Sequence, residues 1–199
     1  MKCSHLVAVS LVAASIGWFA RSGFSDDAAP KPAADPMEEM MAKLATPGEQ
    51  HERMKALVGE WTVHGKFTNP ATGKVEESES ASSIRAVMGG RYFIQDVKGS
   101  MMGQPFEGHG IMGFDNATQK YVSSWIDSMG TGILTSTGEE TEKGRTWTFH
   151  GPWDLGGGKS MATRLTIKMV SDKEAVWEMW MGPDEKSAGS VMTLHATKK

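Results

Sequence analysis

Gly103 to Asp127 reads GQPFEGHGIMGFDNATQKYVSSWID, and its two halves alternate in the manner of strands. Phe106 to Phe114 mixes glycine with apolar residues. The polar hexapeptide Asp115-Asn116-Ala117-Thr118-Gln119-Lys120 follows, and Tyr121 to Asp127 then carries aromatics at alternate positions. Asp and Asn bond to their own backbone and stop a strand cleanly. The stretch is predicted to be a β-hairpin.

Outward from this hairpin the same alternation runs from Gly59 to the C-terminus. Strands are predicted near Glu60–Thr68, Lys74–Val87, Arg91–Lys98, Gln104–Phe114, Lys120–Asp127 and Gly132–Thr137. Four more fall near Arg145–Asp154, Lys159–Val170, Ala175–Met181 and Ser187–Thr197. Turn residues stand at the joints, among them Asn69-Pro70-Ala71-Thr72-Gly73, Gly156-Gly157-Gly158 and Gly182-Pro183-Asp184. Such short connections join antiparallel neighbours, since a parallel pair needs a long crossover. About ten consecutive antiparallel strands close or fold over more readily than they stay open. The expected fold is all-β: an antiparallel meander over 59–199 closed into a roughly ten-stranded barrel.

Before Gly59 the period is helical, and residues 37–58 are predicted as a short N-terminal helical segment. Met37 to Leu44 are good helix formers. Thr46-Pro47-Gly48-Glu49 then supplies a start signal, with Thr46 as N-cap, Pro47 at the first helical position and Glu49 closing a capping box. This second helix is expected to reach about Leu57 and to lie across one end of the sheet, presenting Met54, Leu57 and Val58. Residues 26–36, rich in proline and alanine, form a linker.

Residues 1–25 have the layout of a secretory signal peptide: Lys2, an apolar run from Leu6 to Phe19, then Gly23 and Ser25, with cleavage after Ser25 or Ala20. The run is short of the ~20 residues of a comfortable membrane span. Arg21 keeps an uncleaved membrane anchor as the alternative. The expected location is outside the cytoplasm, periplasmic or secreted, with no membrane insertion once the leader is gone. The single cysteine, Cys3, lies in the leader, so the remaining chain has no thiol for a disulfide, for catalysis or for a thiolate metal site. A net charge of −3 without a basic stripe argues against nucleic acid as a partner.

Five stretches in order carry a resemblance: Leu57-Val58-Gly59-Glu60-Trp61, Met88 to Phe93, Gly103 to Gly108, Gly113-Phe114-Asp115, and Tyr121 to Asp127 with its W-I-D. The first is similar to the G-x-W that opens calycin barrels. The whole, over about Gln50 to Thr197, resembles bacterial domain-of-unknown-function family fifteen seventy-nine. The resemblance implies a calycin-like barrel behind a short helix, in a group of exported or cytoplasmic proteins. It brings no activity with it. Calycins generally hold small molecules inside, and related calycin-like barrels can hold haem through one histidine.

Candidate lining residues follow from strand parity and ring content: Trp61, Phe106, Tyr121, Trp125, Asp127, Trp147 and Trp180. They point to a small, largely apolar ligand, although small barrels are also commonly filled by their own side chains. Gly108-His109-Gly110-Ile111-Met112-Gly113 matches G-x-G-x-x-G, but a strand-to-helix turn is missing, so the glycines are read as room for a bulky neighbour. His64, His109, His150 and His195 lack metal-ligand spacing, and His64 and His150 have outward parity. Met179-Trp180-Met181 and the helical Met37, Met40 and Met41 bring copper to mind through soft ligation, yet methionine is also the usual gap-filler of cores. No metal and no cofactor are expected. Asp127 is the best candidate for a buried catalytic acid; its plainer role is to accept hydrogen bonds from the Met129-Gly130 turn. Binding is the leading reading, with a filled interaction module and an Asp127 enzyme as alternatives and a homo-oligomer left open.

Overall fold

The computed structural model describes residues 35–69, 72–184 and 189–199. The leader and nearly all of the linker lie outside these residues. Two helices come first, α1 (Pro36–Ala45) and α2 (Glu49–Met54), the latter running into a single 3₁₀ turn at Lys55–Leu57. Ten strands follow: β1 (Gly59–Thr68), β2 (Val75–Val87), β3 (Tyr92–Met101), β4 (Gln104–Asp115) and β5 (Lys120–Asp127), then β6 (Leu134–Glu142), β7 (Thr146–Gly156), β8 (Lys159–Met169), β9 (Glu174–Gly182) and β10 (Gly189–Lys198). Each pairs antiparallel with the next, and β10 returns to β1 with Trp61 opposite Lys198 and Phe67 opposite Met192. The sheet is a closed barrel, which removes the unpaired edges that an open meander would expose.

Alternation decides which side chains face inward. Trp61, Val63 and Gly65 are buried while Glu60, Thr62, His64 and Lys66 are not. The register carries that parity round the wall, so that the buried Ser82, Val97, Phe149, Ile167 and Trp177 all point inside. The continuous packed core lies at one end of the interior. There Trp61, Phe93, Trp147, Phe149, Ile167 and Met169 pack on Met54 and Leu57, which α2 and the 3₁₀ turn press across the barrel end. The Trp61 indole N–H donates to the Leu57 carbonyl at 2.9 Å, tying the plug to the first strand.

The start of α2 differs from the sequence expectation. Gly48, not Thr46, is the N-cap, and its N–H donates to His51 Nδ1 at 3.0 Å, so His51 fills the place assigned to Glu49. Thr46 instead ends α1 and turns its hydroxyl back to the Ala42 carbonyl at 2.6 Å. A hydroxyl already spent on the preceding helix cannot cap the next one. Asn116, in the β4–β5 turn, donates its side-chain amide to the carbonyls of Lys43, Leu44 and Thr46, the orphan acceptors at the end of α1. Strand β6 also runs further than Thr137, to Glu142, because the inward Glu140 finds a partner that local sequence does not reveal.

Candidate functional site

The barrel has two unlike halves. At the end away from α2 burial becomes uneven: Phe67, Met101, Trp125, Leu134, Met161, Met179, Met181 and Met192 keep part of their surface accessible, as do Leu165 and Leu194 where they pack on the core, while Val97 and Phe106 stay buried. Tight packing would have covered the accessible ones, as it covers the other half. Around this mouth stand exposed apolar residues, including Ile133, Trp153 and Leu155 at 69%, 45% and 54% of their full exposure. The inner wall is asymmetric. Strand β2 contributes Ser78, Ser80 and Ser82, with Gln95 of β3 donating to the Ser82 hydroxyl at 3.0 Å, whereas β8, β9 and β10 contribute thioethers and leucines.

Trp125 is the largest ring in the open half. A Cβ placed on Gly108 or Gly110 would overlap its six-membered ring, so the indole lies flat across both glycines of β4 and turns its other face to the interior. These glycines serve close approach and not nucleotide binding, since β4 continues into the Asp115–Lys120 turn and another strand. The Trp125 indole N–H donates to Asp127 Oδ2 at 2.8 Å, and the Met129 N–H donates to Oδ1 at 2.9 Å. The second bond is the strand-ending role expected of Asp127; the first shows that it also orients the ring.

The seven candidate lining residues therefore do not form one surface. Trp61, Tyr121 and Trp147 belong to the filled half. Phe106, Trp125 and Asp127 face the open half. Trp180 is a correction: the regular β8–β9 register that buries Trp177 puts Trp180 on the outer wall, where the Arg164 guanidinium stacks 4.7 Å from its ring centre. The Met179-Trp180-Met181 triplet is thus split across the wall. Asp96 also lies outside, bonded to Arg85 and to His109 Nδ1 at 2.7 Å, and Glu178 shares that outer side. His64, His109, His150 and His195 all occupy outward positions, so none offers an axial ligand to a haem held inside. Among the described residues no cluster of His, Cys, Asp or Glu is placed to hold a metal.

A second polar constellation, unannounced by the sequence, seals the filled half. Glu140 faces inward beside Trp147 and accepts both oxygens' worth of hydrogen bonds from Arg53 of α2, at 2.9 and 3.0 Å, from the Tyr121 hydroxyl at 3.2 Å, and from the Gly144 N–H. Burial pushes the Glu140 carboxyl up, but the Arg53 and Gly144 donors outweigh it and hold the group below the usual carboxylate range. Burial raises the Tyr121 phenol; the Trp147 indole N–H comes near enough to oppose this, without the alignment of a hydrogen bond. His51, buried against the edge of Phe114 with ring centres 5.8 Å apart, is lowered by burial, with the Phe114 backbone opposing. Arg53 and Glu140 lie 87 residues apart and no local pattern joins them. His51 was legible in principle, three residues beyond a helix-starting glycine.

Two further clefts lie on the outer wall. One, of about 420 Å³, is lined by Thr62, Glu79, Ala81, Lys98 and Ser100; the other, of about 490 Å³, lies between the α1–α2 junction and Tyr92, Asn116 and Val122. Both are open to solvent and mix polar with apolar lining.

A family model described as "Protein of unknown function (DUF1579)" matches residues 46–198. The chain belongs to the DUF1579 family. None of the curated proteins matches this DUF1579 chain in sequence. Among solved structures it is similar to the S-type phycobiliprotein lyase CPES from Guillardia theta, with a TM-score of 0.52, 13% identity, and coverage of 74% of this chain and 91% of that one. It is equally similar to Rv2717c from M. tuberculosis, with a TM-score of 0.52, 12% identity, and coverage of 77% and 99%. At such identities the likeness establishes the calycin-type barrel alone.

Proposed function

We propose that this DUF1579 protein is an exported carrier or receptor that binds a small, largely apolar molecule in the open half of its barrel. The observation that supports this most is the graded interior: eight inward apolar side chains left partly accessible beyond a fully packed floor. An apolar guest would cover them and gain the stabilisation that the protein's own packing forgoes, at about 25 cal/mol per Å² of apolar surface. The exposed apolar rim would ease its entry. Export rests on the leader-like residues 1–25.

Native mass spectrometry of protein purified from its own cells is expected to find a retained small molecule. Met192→Trp, which fills the open half from β10, should remove that mass and leave the melting temperature unchanged or higher. Repeatedly empty spectra, or a guest indifferent to this substitution, would overturn the reading. A second reading, a module that works through its surface, draws on α1: Met37, Met40, Met41 and Leu44 form one apolar stripe, and all four are exposed. Deleting residues 36–45 separates the two, because guest binding should survive it.

A further inference from the structure

The charges facing the open half have one sign. Among the described residues, the ionisable side chains with inward parity below the hairpin tips are Asp127 and Glu76, both acids. Glu76 is ion-paired near the rim with Lys74 at 2.9 Å. Lys159 shares the inward parity but stands exposed at the tip of the β7–β8 hairpin, and Lys198 and Arg53 serve the filled half, on the Ala56 carbonyl and on Glu140. A guest carboxylate buried at the depth of Trp125 would face Asp127 and find no cation among the described residues to answer it.

The same place suits a positive charge. One face of Trp125 lies on Gly108 and Gly110, the ring as a whole is only partly buried, and an indole face attracts cations. The Asp127 carboxylate at the indole N–H makes that face more electron-rich. Asp127 spends two hydrogen bonds on Trp125 and Met129, yet a carboxylate accepts about four, and the side chain is only partly buried. Across the ring of ten strands, β10, whose inward side chains include Met192 and Leu194, stands opposite β5. A molecule spanning the chamber would meet a cation-binding wall on one side and an apolar wall on the other.

We propose that the guest is an apolar molecule carrying a positively charged nitrogen, an alkyl or aryl amine or quaternary ammonium, with the nitrogen against Trp125 and Asp127 and the apolar part against β8–β10. This rests on the barrel being a binding site and goes further by naming the chemical class.

The test uses three probes of equal chain length below their micelle concentrations: decyltrimethylammonium, 1-decanol and decanoate, titrated calorimetrically at neutral pH. The ammonium should bind on the order of tenfold more tightly than decanoate, as expected for a partly desolvated cation on an aromatic face. Asp127→Asn or Trp125→Leu should bring the two to within roughly threefold, with decanol affinity little changed in Asp127→Asn. Glu178→Gln, which removes an outward acid, controls for overall charge and should leave the difference intact. Decanoate binding as well as the ammonium, or a difference that Glu178→Gln abolishes, would overturn the amine proposal while decanol binding upheld the barrel site. Failure of all three probes to bind would remove both.

Discussion

The filled and open halves of this barrel are built from the same ten strands and the same alternation, yet they do opposite things with their inward positions. In the filled half, Trp61, Phe93, Trp147 and Phe149 are covered almost completely, and the Glu140 carboxylate among them is tied off by Arg53, Tyr121 and Gly144. In the open half the inward residues are flexible thioethers, leucines, small hydroxyls and a few rings, one of them laid on glycine, and most are left partly accessible. A barrel needs one well-packed layer to hold its register. Once α2 supplies the plug for that layer, the other half is free of the duty to be full.

The sharpest way to break this comparison is a matched truncation. Trp147→Ala should cost about 3–5 kcal/mol in urea unfolding, whereas Met179→Ala across the divide should cost about 1–2 kcal/mol because its side chain is only partly buried. Equal losses would mean that the halves are packed alike. Next in size, Glu140→Ala should cost about 2–3 kcal/mol, since it leaves Arg53, Tyr121 and Gly144 without their acceptor. Met54 and Leu57 ride on the same helical plug, so near-ultraviolet circular dichroism of the tryptophans should weaken with it.

Acid titration sharpens the contrast further. His51 is lowered in the folded protein, so the unfolded chain takes up the proton first as pH falls. Its stabilisation is complete above its ordinary value of 6.5 and fades as pH drops toward the lowered folded value. Glu140 is likewise lowered, and its share is complete above the ordinary 4.5 and fades below it. Both groups sit in the filled half. Unfolding free energy should therefore fall in two steps on acidification, and His51→Gln should erase the first; an unchanged profile would refute that assignment. The smallest effect is expected on the outer wall, where Arg164→Ala should cost about 0.5–1 kcal/mol through the lost stacking on Trp180 and leave guest binding untouched.

Much of this was readable along the chain. Strand positions follow from alternation and turn chemistry, both properties of neighbouring residues, and β5 runs from Lys120 to Asp127 as expected. Outward parity for His64 and His150 and space beneath a bulky neighbour at Gly108 and Gly110 were local inferences too. Trp180 shows the limit of ring-counting: its own strand already set it opposite Trp177, and parity outranks hydrophobicity in a two-sided wall. The Thr46 cap failed for a related reason, because two helices compete for one hydroxyl and sequence alone does not say which prevails.

By itself, then, the sequence determined the meander, the alternation and the family, since each depends on contacts only a few residues long. Tertiary structure alone decided which half of the barrel is filled. That choice depends on where α2 docks, and its lock is a pair 87 residues apart, Arg53 and Glu140, which no periodicity can join before the chain has closed. Likewise, only closure sets β5, with Trp125 and Asp127, across the ring from β10.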